Sequence, residues 1–135
     1  MPTPFLDTNI FLRHLTGEPP DQAGGATALF EKIERGEITV TTSLIVIFEA
    51  TFTLERFYKQ KKENIRGMLL PLLELPSVRI KGKRQLQKVF ALYVDHNISF
   101  ADAYHAIFMQ QNKLKEIISF DKDFDKIFGI TRQEP

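Results

Sequence analysis

Asp7, Glu49, Asp102 and Asp121 stand far apart in the sequence, yet each sits where a carboxylate could reach a shared cleft. Asp7 follows the apolar pair Phe5-Leu6 and precedes a second apolar set, Ile10-Phe11-Leu12. Glu49 interrupts the stretch from Leu44 to Phe57, which is apolar on most sides. Its helical neighbours are Ile45, Phe52 and Thr53 rather than a solvated stripe. Asp102 falls three residues after Ser99, at the start of a helical pattern, and Asp121 follows Glu116-Ile117-Ile118-Ser119 by two residues. Like charges gathered in a partly desolvated cleft repel unless a cation neutralises them. Oxygen-only donors with open positions suit Mg²⁺ or Mn²⁺, ions that activate water and stabilise charge on phosphoryl oxygens. A solvated helix turn explains either Asp123 or Asp125, although Asp123 is near enough to Asp121 to act as an outer ligand or to hold a water.

Each carboxylate also has a plainer reading. Asp7 can cap the helix that begins at Thr8 or Asn9. Asp102 can be an ordinary first-turn acid, Asp121 can cap a short helix, and Glu49 can pair with an Arg or Lys. His14, His96 and His105 have no ligand spacing.

The elements that would position these residues alternate between short β-branched runs and amphipathic segments. Pro4 to Leu6 reads as a strand, followed by helical character over 9–15. Asp21 is placed to cap a helix to about Arg35, stopped by Gly36. Ile38 to Thr41 reads as a strand, and Ser43 caps a helix from Leu44 to about Lys59. A helix over 63–75 contains Pro71, which predicts a kink or early break. Val78 to Ile80 reads as a strand, 83–96 as a helix, and Ser99 caps a helix to about Asn112. Glu116 to Ser119, a short helix to Phe128 and a last strand at Ile130 to Arg132 complete the chain. This order predicts an α/β fold, a three-layer α/β/α sandwich around a central, mostly parallel sheet, in which strand ends and helix starts share one edge.

With 135 residues, 43% of them hydrophobic and twelve of them Phe, one domain spanning 1–135 with a real core is expected. No Cys is present, which removes disulfides, thiolate nucleophiles and Cys-based zinc sites. No basic start leads into an apolar signal run and no stretch approaches a membrane span, so a cytoplasmic location without membrane attachment is expected. Eighteen basic against seventeen acidic residues do not announce a nucleic-acid partner by their sum. Their distribution does offer phosphate-binding candidates: Arg13, Lys61 and Lys62 in the run from Lys59 to Arg66, and Lys81, Lys83 and Arg84 in the acid-free run from Arg79 to Lys88. A solvated helix face explains the same runs. Among the aromatics, Phe11, Phe48, Phe52 and Phe57 are assigned to the core in preference to an interface.

The chain resembles the PIN-domain family, particularly its small VapC-type ribonuclease toxins. The resemblance rests on Leu6-Asp7-Thr8-Asn9, on Glu49 in its long helix, on Phe100-Ala101-Asp102-Ala103-Tyr104-His105-Ala106 and on Ser119-Phe120-Asp121-Lys122-Asp123-Phe124-Asp125. It covers essentially the whole chain. Tyr104, where Leu is commoner, and Pro71 are its minor departures. The resemblance implies that Asp7, Glu49, Asp102 and Asp121 form an acidic metal site, that Asp123 adds a further or water-mediated contact, and that Ser119, Thr8 and Asn9 support it. It implies Mg²⁺- or Mn²⁺-dependent endonucleolytic cleavage of RNA, a homodimer, and a small antitoxin whose segment wraps the cleft; by residue chemistry either Glu49 or Asp102 could accept the water proton. The alternatives are a PIN nuclease of RNA processing without an antitoxin, and a non-catalytic metal-binding regulatory α/β module.

Overall fold

The structure, a computed structural model, describes residues 3–135. Its backbone contacts gather into two compact units, one up to Lys83 and one from Arg84 onward.

In the first unit, helix α1 (Thr8–Thr16) packs on α2 (Pro20–Glu34) and α3 (Leu44–Arg56), and α3 packs on α4 (Lys62–Leu73). Strand β1 (Val40–Thr41) pairs in parallel with β2 (Val78–Arg79), with Val40 opposite Val78. Phe5 makes a parallel bridge to Thr41, reinforced by Leu6 N–H to Thr41 O at 2.7 Å and Thr41 N–H to Pro4 O at 2.8 Å. The segment expected as a first strand therefore pairs with β1, but through one bridge only. The Thr42 hydroxyl donates to Leu6 O at 2.9 Å and ties that segment down where its ladder ends.

Apolar spacing explains the packing. Phe11 and Leu12 of α1 and Phe30 and Ile33 of α2 are buried, with the Phe11 and Phe30 rings 5.3 Å apart. Val46, Ile47, Ala50, Thr51 and Leu54 bury one face of α3. Ser43 caps α3, its hydroxyl accepting from Val46 N–H. Asp21 does not cap α2; that helix begins at Pro20, and Asp21 stands in its first turn. A proline is pre-set for the first helical position and displaces the start by one residue. Pro71 does not break α4, which continues to Leu73. So close to the helix end, its missing N–H removes a single ladder bond.

In the second unit, a 3₁₀ turn at Lys83–Gln85 leads into α5 (Leu86–Asp95), which packs against α6 (Phe100–Gln111). Phe90, Tyr93 and Phe100 form a buried ring triangle with centroids 5.3–6.2 Å apart. Strand β3 (Glu116–Ile118) pairs in parallel with β4 (Thr131–Gln133), and a 3₁₀ helix at Lys122–Lys126 joins them. Parallel pairing is thus present as expected, in two short two-stranded pieces. Among the described residues, no helix is long and apolar enough to cross a membrane.

Candidate metal and substrate site

Asp7 and Glu49 both line one pocket of the first unit because each follows the end of a parallel segment. Asp7 closes the Pro4–Leu6 segment at the N-cap position of α1, and Glu49 stands in the helix that β1 feeds. Asp7 has the extended backbone of a cap residue, yet its side chain makes no capping bond. Among the described residues, neither the Asp7 nor the Glu49 carboxylate has a hydrogen-bond or ion-pair partner. Both are exposed, which corrects the apolar enclosure that the α3 sequence suggests for Glu49. The bulky apolar residues around it are themselves exposed: Ile45, Phe48 and Phe52 share the face opposite the core.

The pocket measures about 370 Å³ and is lined by Asp7, Thr8, Asn9, Leu12, Arg13, Glu49, Thr53, Phe57 and Tyr58. The Thr8 hydroxyl is buried and has no hydrogen-bond partner. An orphaned buried hydroxyl is costly unless something else satisfies it. Arg13 is half-buried; its Nε donates to Gln22 Oε1 at 2.7 Å.

In the second unit, Asp102, Asp121 and Asp123 each offer one oxygen, and the three oxygens lie within 4.8 Å of one another. Local structure puts them there. The Ser99 hydroxyl caps α6 by accepting from Asp102 N–H at 3.1 Å, which places Asp102 in the first turn. The Ser119 hydroxyl accepts from Asp121 N–H at 3.0 Å, and Asp121 Oδ1 accepts from Asp123 N–H at 2.9 Å. Burial, then the neighbouring Asp121 carboxylate, pushes the Asp102 carboxyl up from the usual range. The Asp123 N–H, then the hydrogen bond with Asp102, holds Asp121 down. The pair thus divides, one carboxyl shifted up and the other down, as close like charges do.

Asp123 and Asp125 in this loop also have protein partners. Lys126 pairs with Asp123 at 3.1 Å, and Arg132 binds Asp125 through two hydrogen bonds while its Nη1 donates to Ser119 O at 3.0 Å. Arg132, which sequence reasoning assigned only to a last strand, therefore holds both ends of the loop that carries Asp121. Of the basic candidates, Lys61, Lys81 and Arg84 are exposed and Lys62 pairs with Glu55 at 3.5 Å. Lys83 points its ammonium at Leu75 O (2.6 Å) and Val78 O (2.8 Å), and burial lowers its pKa.

Leu12, Thr53, Phe57 and Tyr58 also line the pocket and were not among the site candidates read from the sequence. Phe57 and Tyr58 stand at the end of α3, where the apolar pattern of that helix runs out. Phe57 is 77% exposed, and Phe48 and Phe52 are also exposed, so of the four aromatics assigned to the core Phe11 alone is buried.

Comparison with known proteins agrees with the resemblance read from the sequence. The PIN domain profile matches residues 5–129, and the chain belongs to the PIN-domain family. It is 25% identical over 123 residues to the VapC ribonuclease of Aquifex aeolicus (strain VF5), an alignment covering 91% of this chain and 90% of that protein.

Proposed function

We propose that the chain is a divalent-metal-dependent endoribonuclease and the toxin of a toxin–antitoxin pair. The observation that carries this reading is the Asp102–Asp121–Asp123 group, three carboxylates within reach of one ion in a PIN-domain chain. The donor set fits a hard cation. It is made only of oxygens, and the burial and like-charge neighbour that disfavour ionised Asp102 are what a cation would offset. Within the first unit, Asp7, Glu49 and the unpartnered Thr8 hydroxyl are further oxygen donors that no protein group uses. Asn9 beside them, and Ser119 behind Asp121, are the supporting residues of this reading.

Mg²⁺ or Mn²⁺, when bound, supplies Lewis-acid activation of water and neutralises charge at the phosphate. The chain's own residues do the rest. The Ser119 hydroxyl and the Asp123 N–H hold Asp121 ionised and oriented. Arg13 lies in the pocket with guanidinium donors left over from its bond to Gln22 and contacts a substrate phosphate. The exposed Lys61, Lys81 and Arg84 add general attraction for the backbone, whereas Lys62 and Lys83 are engaged by Glu55 and by the Leu75 and Val78 carbonyls. The 91% alignment with a protein named a ribonuclease supports RNA as substrate. The exposed Ile45–Phe48–Phe52 face supports protein partners, here a second copy and a small antitoxin.

The test is expression of the chain alone in bacteria, beside Asp7→Asn. Slowed growth with the unaltered chain and normal growth with the variant is the expected result. Equal growth of the two would remove the toxin reading.

A further inference from the structure

We infer that Phe57 is a stacking platform for one unpaired base of the RNA, set beside the carboxylates that act on the adjoining phosphate. The inference rests on the ribonuclease reading and deepens it, because it selects a substrate with a splayed-out base. Phe57 shares its pocket with Asp7, Glu49 and Arg13, so a ring, acidic groups and a cation meet in a cavity of ligand size. The ring is 77% exposed although it lines that pocket. Its recorded ring neighbour is Tyr58, edge-on with centroids 5.3 Å apart and planes at 69°. An edge-on neighbour fixes orientation and leaves most of the ring in solvent.

The backbone beneath the ring is held firmly. Phe57 N–H and Tyr58 N–H both donate to Thr53 O, at 2.9 and 3.2 Å, and Gln60 N–H returns to Leu54 O at 3.0 Å. Lys59 takes the left-handed position, φ 56°, that glycine usually fills after a helix. The helix end thus presents two consecutive aromatics and a cation on a fixed turn. Bases of single strands stack on such rings whatever their identity, because every base has a π-face. Phe48 and Phe52 differ: they lie against each other, 6.2 Å apart and near parallel, and do not line the pocket. The observations therefore favour a base over a protein side chain as the occupant at Phe57.

The experiment is steady-state cleavage of a short single-stranded RNA by the full chain, Phe57→Ala and Phe57→Trp, with each position near the cut replaced in turn by an abasic nucleotide. Phe57→Ala is expected to lower kcat/KM roughly ten- to a hundred-fold, the range that base–aromatic stacking supplies, mostly through KM. Phe57→Trp should restore it. One abasic position should cost the unaltered chain a similar factor and cost Phe57→Ala almost nothing. If the chain cleaves RNA and Phe57→Ala cleaves it equally well, the inference is overturned while the ribonuclease reading stands. A Phe57→Ala loss that is the same at every abasic position also overturns it, as does unchanged cleavage with an altered mass in sedimentation, which would place Phe57 in a protein interface. Absence of cleavage by the unaltered chain removes the ribonuclease reading and this inference with it.

Discussion

The two acidic sets of this chain are built in opposite ways. Asp7 and Glu49 are exposed and free of protein partners, in a pocket that also holds an orphaned threonine hydroxyl. Asp102, Asp121 and Asp123 crowd within 4.8 Å, Asp102 and Asp121 shift each other's proton affinities, and serine and backbone bonds hold the loop. The first set costs the fold little and contributes little to it. The second is pre-organised and self-repelling, so its stability depends on what neutralises it. The difference teaches that substitutions in the first set should change activity and leave the metal-free stability unaltered, while those in the second should change activity and stability both with and without metal.

The largest expected effect is on catalysis. Asp121→Asn keeps an oxygen to accept the Asp123 N–H but loses the charge, so cleavage should fall to background while the circular dichroism spectrum is unchanged. Asp7→Asn should match it in activity and leave Tm unaltered in chelator, since no protein bond is lost. A several-degree drop in Tm for Asp7→Asn would erase the contrast between the sets.

Next comes metal linkage. Mn²⁺ at about a hundred times its dissociation constant should stabilise the unaltered chain by about 2.7 kcal/mol. Asp102→Asn should lose most of that gain in a thermal melt. In chelator it should be more stable than the parent at neutral pH, because it removes a carboxylate whose ionised form the fold disfavours. Ser119→Ala, which removes the hydroxyl behind Asp121, should weaken metal binding roughly ten- to a hundred-fold, as seen when partners of metal ligands are removed, and titration calorimetry would measure it.

Smaller effects sharpen the first set. Thr8→Val removes a buried hydroxyl without a partner and should leave urea stability equal or higher while lowering activity. A clear loss of stability would mean that the hydroxyl is satisfied within the protein. His14 tests the background: burial lowers its pKa against an opposing effect of Glu31, and its ring hydrogen-bonds with Thr27 and lies tilted against Phe30. Because the folded state disfavours the proton, the His14 contribution is complete above about pH 6.5 and is lost as pH falls below it. Unfolding free energies of His14→Gln should therefore fall less between pH 7 and 5 than those of the parent.

Much of this was legible in the residues. Apolar spacing located all six helices, and Ser43 and Ser99 marked two starts that their hydroxyls do cap. The strands were legible by place but not by extent, since runs such as Ile38 to Thr41 contain more β-branched residues than the two that pair. Glu49 misled because an apolar helix reads as buried all round until one knows which face lacks a neighbour. For the same reason Phe48, Phe52 and Phe57 looked like core. Periodicity reports where apolar residues recur, not what covers them. Arg132 was invisible as a clamp because its partners Asp125, Ser119 and Glu134 meet only once β4 pairs with β3.

The most direct measurement is cleavage of an end-labelled single-stranded RNA by the purified chain in Mn²⁺ or Mg²⁺ and in chelator, with Asp7→Asn and Asp121→Asn alongside. Cleavage that needs the divalent ion and vanishes in both variants is the predicted result. Undiminished cleavage in chelator, or by either variant, would contradict the proposal that cleavage needs a divalent ion together with Asp7 and Asp121.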